Sequence, residues 1–205
     1  MQVCRWICAV LFATSVCAGE RMTVSVCTRG SLNQKFVTGA EAAAADLFKS
    51  IDIEIVWAKC ETGLEGDEAV KQHWFTVRLR DGKPFITPDP SALDTLGEAF
   101  LSVDSVSYIA DVYYQAVQTL ATTRQVELTP LLGYVIAHEL GHLLLGPGHA
   151  TKGVMRAAWD LRDLEAIRQG CLRFSPSEGA RMRRVLQGTV ISALVGSVAN
   201  GGSRR

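Results

Sequence analysis

The most constraining feature of this sequence is an apolar pattern from Leu131 to Leu145 that runs on until Gly146-Pro147-Gly148 ends it. Thr129 and Pro130 precede it as an N-cap followed by proline at the first helical position. The punctuation predicts a helix of about sixteen residues, about 24 Å long. Inside it stands His138-Glu139-Leu140-Gly141-His142. Residues four apart on a helix lie one turn apart on the same face, so both imidazoles can reach a single ion. The fold must therefore leave part of an apolar core helix open to a metal, a third ligand and solvent.

The chain has four histidines, and His138, His142 and His149 fall within twelve consecutive residues. Zinc suits this spacing. Two imidazoles and a third protein ligand leave one tetrahedral position for water, whose pKa falls to about 7 on such an ion. Glu139 follows the first ligand and can stand beside that water as a general base. The plainer alternative is a pair of surface histidines on an ordinary amphipathic helix. A chance match in a chain of this length is on the order of one in a hundred, and the surrounding helix signals and third histidine make chance rarer.

The segment His138-Glu-Leu-Gly-His142-Leu-Leu-Leu-Gly146-Pro-Gly-His149, followed by Gly153-Val-Met155, resembles the metzincin metallopeptidases. The matrixin and archaemetzincin branches are nearest. The resemblance implies a zincin fold, one catalytic zinc ion on His138, His142 and His149, Glu139 as general base, and Met155 beneath the metal. It also implies that an extended substrate pairs with an edge strand above the metal, for which Leu96–Phe100 is the candidate.

The sequence departs from the family pattern HExxHxxGxxH at one point. Three leucines, not two residues, separate His142 from Gly146, so the glycine and the third histidine come one residue late. An extra helical residue adds about 100° of rotation and about 1.5 Å of rise, so the chain must leave the helix in another direction. The glycines of Gly146-Pro147-Gly148 can absorb the change. Glu165 on a later helix, as in the gluzincin group, is the competing third ligand; Asp160 is accounted for as an N-cap. Met155 reads equally well as a core methionine filling a gap under a loop. Tyr108, Tyr113, Tyr114 and Tyr134 are all possible oxyanion donors, His73 reads as structural, and Trp159 and Leu161 read as packing residues.

Elsewhere the patterning predicts strands over 23–27, 51–58 and 73–80, and weaker ones over 96–103 and 107–114, the last running towards a helix. Thr38-Gly-Ala-Glu41 has capping-box spacing and is expected to start the first helix. Prolines 84, 88 and 90 mark a long surface loop. Asp160 is expected to cap a helix to Gln169, and Ser175-Pro-Ser-Glu178 to open another to Gln187. The expected class is α/β, of the α+β zincin-like kind. One mixed sheet packs against two main helices, one of them carrying the histidines, with a small helical part at the C-terminus.

At 205 residues with 48% hydrophobic residues, the chain suits one domain with a real core. Lys plus Arg and Asp plus Glu both total 21, so no nucleic-acid partner is expected. Residues 1–18 carry Arg5, an apolar run and Val16-Cys17-Ala18, the pattern of a secretory signal cleaved after Ala18, with an uncleaved anchor and a lipoprotein signal at Cys17 as the alternatives. Residues 19–188 then form the domain and 189–205 a C-terminal tail. A secreted or periplasmic monomer acting on a peptide or protein is expected, with no stable membrane span after cleavage. Cleavage leaves Cys27, Cys60 and Cys171. A Cys27–Cys60 disulfide between strand ends and three unbonded small residues are both open readings, and Cys27 could in principle cap the zinc.

Overall fold

In the computed structural model the described residues are 19–28, 32–60, 74–81, 95–101 and 108–200, with side chains described as far as 188. The expected signal segment, His73 and the proline-rich loop over 82–94 lie outside them.

β1 (Glu20–Thr28) turns Met22, Val24 and Val26 to one face, where all are buried. Parallel β2 (Ile53–Ala58) lies on one side of it and β3 (Trp74–Arg80) on the other. β5 (Ile109–Tyr113) continues the parallel array beside β3. β4 (Gly97–Ala99) pairs antiparallel with β5 and ends the sheet, whose order is β2-β1-β3-β5-β4. The weak strand expected over 96–103 is thus three residues long within the described part.

Helices α1 (Gln34–Lys49) and α3 (Leu128–Leu145) cover the apolar face of the sheet and pack closely on one another. A Cβ on Gly133 would lie 2.6 Å from both the Ala40 carbonyl oxygen and Ala43 Cβ, so a bare backbone at 133 sets their approach. α2 (Tyr114–Arg124) grows directly out of β5 and leads into α3 through Gln125, which has φ 53°. α4 (Leu161–Arg168) and α5 (Pro176–Asn200) pack against other sides of α3, burying Leu164, Ile167, Met182 and Leu186. α3 is consequently apolar on nearly every side. It is long and apolar enough to cross a membrane, yet 78% of it is buried inside the protein, as expected of a core helix.

The fold class matches expectation, and the helix boundaries correct it in three places. α1 starts at Gln34, because Asn33 Oδ1 accepts the Lys35 amide at 2.9 Å and caps the helix ahead of Thr38. Thr38 and Glu41 are therefore interior residues, and partial burial raises the Glu41 carboxyl above its ordinary pKa. α3 starts at Leu128 with Glu127 at the N-cap and no side-chain capping bond. Thr129 packs its methyl group against Gly39 instead, within 2.5 Å of where a Cβ would stand there. α5 opens on the predicted box, with Ser175 N–H donating to Glu178 Oε2 at 2.6 Å and Glu178 N–H to Ser175 Oγ at 3.3 Å, but it continues past Gln187 to Asn200. The Asp160 cap is found as expected and is completed by Asp163.

Cys27 and Cys60 form a disulfide that joins β1 to the residues just after β2, with Cα atoms 5.0 Å apart. Cys27 is thereby removed from any role on a metal. Cys171 is free and exposed.

Candidate metal centre

α3 brings His138 and His142 to the same face with both rings buried, and the chain beyond the helix returns His149 to them. His138 Nε2 and His142 Nε2 are 3.0 Å apart, and His142 Nε2 and His149 Nε2 are 3.2 Å apart. The ligand atoms of all three lie within 4.8 Å of one another.

The other ring nitrogens explain what these contacts mean. His138 Nδ1 is 2.7 Å from the Val154 carbonyl oxygen, and His142 Nδ1 is 3.2 Å from that of Gly146. A carbonyl can only accept, so both Nδ1 atoms carry the proton and both neutral rings turn an Nε2 lone pair inward. Two lone pairs at 3.0 Å repel unless a cation lies between them. Burial pushes the His138 pKa down to about 4, despite the Val154 bond, so a second proton is disfavoured there at neutral pH. Burial lowers His142 likewise. Three convergent imidazole nitrogens, two with their tautomers set by carbonyls, fit an ion of the zinc type.

The late turn is accommodated by glycine. α3 closes at Gly146, whose amide donates to the His142 carbonyl at 2.9 Å with φ 84°, and Gly148 has φ 117°. Side-chain-bearing residues rarely adopt these values. The chain then loops back, with the Ala150 amide donating to the Met155 carbonyl at 2.8 Å. Gly153-Val-Met155 forms the floor. Val154 N–H donates to the Arg173 carbonyl at 3.1 Å while its own carbonyl holds His138, and buried Met155 sits under Gly141. Arg156 pairs with Asp160 and Asp163, tying this turn to the start of α4.

Glu139 is 4% exposed and faces β4. A Cβ on Gly97 would lie 2.6 Å from Glu139 Oε1, so the strand backbone passes directly over the carboxyl group. Burial, then the charge of Glu98, raises the Glu139 pKa to about 8. A cation beside it acts in the opposite sense by favouring the carboxylate.

Glu165 does not join the histidines. It is half-buried on the side of α4, accepts bonds from Arg168 at 2.9 Å and Gln169 at 2.6 Å, and its pKa is lowered first by Arg168. Among the tyrosines, Tyr134 donates to the Leu172 carbonyl at 3.2 Å and Tyr113 to Glu98 Oε2 at 3.1 Å, while Tyr108 packs on Phe75. Trp159 packs against the core, in line with its reading as a packing residue. Its ring meets His138 edge-on at 5.9 Å and Tyr134 at 6.4 Å, and its buried Nε1 has no hydrogen-bond partner among the described residues. Sequence reasoning does not single out Glu98, whose charge acts on Glu139. The glycine inside the 96–100 segment was the available signal, because a strand glycine marks close backbone approach.

No protein-family model and no curated protein matches the chain. Among solved structures, archaemetzincin from Methanopyrus kandleri is similar, with a TM-score of 0.52 and 15% sequence identity over 84% of this chain and 99% of that one. The likeness establishes the fold as zincin-like, in agreement with the sheet and helix arrangement above.

Proposed function

We propose that the protein is a zinc-dependent metalloendopeptidase, with His138, His142 and His149 as ligands and Glu139 as general base. The observation that carries this reading is the convergence of three imidazole nitrogens beside a buried glutamate under an edge strand. Zinc held there would supply Lewis acidity towards a peptide carbonyl and towards water.

The protein's own groups do the rest. Glu139 takes a proton from the attacking water and returns it to the leaving amine. Val154 and Gly146 hold the imidazoles in the tautomer that turns Nε2 inward. β4 receives an extended substrate by strand addition, which puts a peptide bond close to Glu139. A peptide partner rather than nucleic acid agrees with the zero formal net charge. The disulfide supports an extracytoplasmic location.

The test is metal analysis followed by cleavage of a mixed peptide library. Stoichiometric zinc, chelator-sensitive cleavage, and a Glu139→Ala variant that keeps zinc but loses hydrolysis are the expected results. Stoichiometric zinc without cleavage would instead define a zinc-binding module.

A further inference from the structure

The pairing of β4 with β5 determines what β4 offers on its other side. Phe100 N–H donates to the Ile109 carbonyl at 3.0 Å and Tyr113 N–H to the Leu96 carbonyl at 2.9 Å. In an antiparallel ladder these groups alternate, so the backbone groups of Leu96, Glu98 and Phe100 are directed at β5 and those of Gly97 and Ala99 away from it. Among the described residues no strand pairs with that outer edge. A guest strand bonded to Gly97 and Ala99 in the antiparallel sense places one residue opposite Glu98 in a pair without mutual hydrogen bonds. The two side chains then lie on one face with Cβ atoms about 4.5–5.5 Å apart.

Glu98 is suited to read that residue. It is exposed, and Tyr113 Oη holds one of its oxygens at 3.1 Å, which fixes the carboxyl group on the face of the sheet away from α3. The nearby cations are committed elsewhere: Arg78 and Arg80 both pair with buried Asp111, and Arg78 also lies 5.2 Å over the Phe100 ring. Among the described residues no Lys, Arg or His pairs with Glu98. An acidic side chain without an ion pair stands at the centre of the edge, one residue from the glycine that covers Glu139.

We infer that Glu98 is a specificity-determining residue, selecting extended peptides that carry lysine or arginine at the position paired opposite it on β4. The inference rests on the peptidase reading for the placement of substrate. An opposite-charge cross-strand pair stabilises by up to about 1 kcal/mol, which is about fivefold in affinity.

The test measures binding of three extended peptides, identical except for a central Lys, Gln or Glu, to the zinc-loaded Glu139→Ala protein by fluorescence anisotropy. Cleavage of the same peptides by the unaltered protein is followed in parallel. The Lys peptide is expected to bind about fivefold more tightly than the Gln peptide, and the Glu peptide more weakly than either. Adding Glu98→Gln, which keeps an acceptor for Tyr113, should remove the difference, and Glu98→Lys should reverse it. An affinity order unchanged by Glu98→Gln, or no binding of any peptide, overturns the inference. Selective binding without cleavage supports it while overturning the peptidase reading. Cleavage indifferent to the central residue overturns the inference and leaves that reading in place.

Discussion

Met155 occupies the space that a side chain at position 141 would need, because a Cβ on Gly141 would run into the Met155 sulfur. The methionine reaches bare backbone on the turn of α3 that carries both histidines. Gly141→Ala should therefore destabilise the protein by about 1–3 kcal/mol through overpacking. Met155→Ala should cost about 2–5 kcal/mol through a cavity. The double variant should cost less than the sum, because each change relieves the other. Denaturant unfolding of the four proteins measures the coupling, and strict additivity would show that the contact is unimportant.

Metal content separates the candidate ligands. His142→Ala and His149→Ala should lose stoichiometric zinc, whereas Glu165→Ala, which removes only a partner of exposed Arg168 and Gln169, should keep it. Full retention by His149→Ala would exclude the late histidine as third ligand.

The approach of β4 to Glu139 is equally open to test. Gly97→Val would place a Cβ 2.6 Å from Glu139 Oε1 and 2.7 Å from its Cγ, so the strand or the carboxyl group must move. A displacement of that size should lower the rate of peptide cleavage on the order of a hundredfold. Zinc content should not change. Equal rates would mean that β4 has no part in placing substrate or base.

The Cys27–Cys60 bond closes a sequence separation of 33 residues. On the chain-entropy account its removal costs up to about 4 kcal/mol, a fall in melting temperature on the order of 10 °C. Cys27→Ser/Cys60→Ser should show this fall in a thermal scan. Peptide mapping should find Cys171 alkylated without reductant and the other two only after reduction.

The turn below the candidate metal site should respond to acid. The Arg156 guanidinium beside Asp160 lowers its pKa to about 2, below the ordinary 3.8. A depressed carboxylate contributes stability that is complete above its unfolded pKa and is lost as pH falls through the folded one. Asp160→Asn keeps a capping side chain and removes the charge. The difference in melting temperature between it and the parent should be constant above about pH 5 and disappear towards about pH 2. A pH-independent difference would assign the effect to the cap alone.

The histidine helix, its glycine exit and the Asp160 and Ser175 caps were legible because each depends on neighbouring residues in sequence. The start of α1 was misread because two capping patterns compete there, and Asn33 acts first. The shortness of β4 and the contact of Gly97 with Glu139 depend on where strand and helix meet, so spacing alone could not reveal them. Glu98 was hidden for the same reason, since its neighbours Tyr113 and Glu139 are far away in sequence.

An unpaired strand edge is also a template for association between copies of the same chain. β4 limits that hazard by its dimensions: three residues long with an acidic side chain at its centre, it offers too short a ladder for a lasting sheet between molecules and sets like charges side by side when two such edges meet. The dimensions that suit β4 to the single extended guest proposed for it also disfavour pairing with a copy of itself.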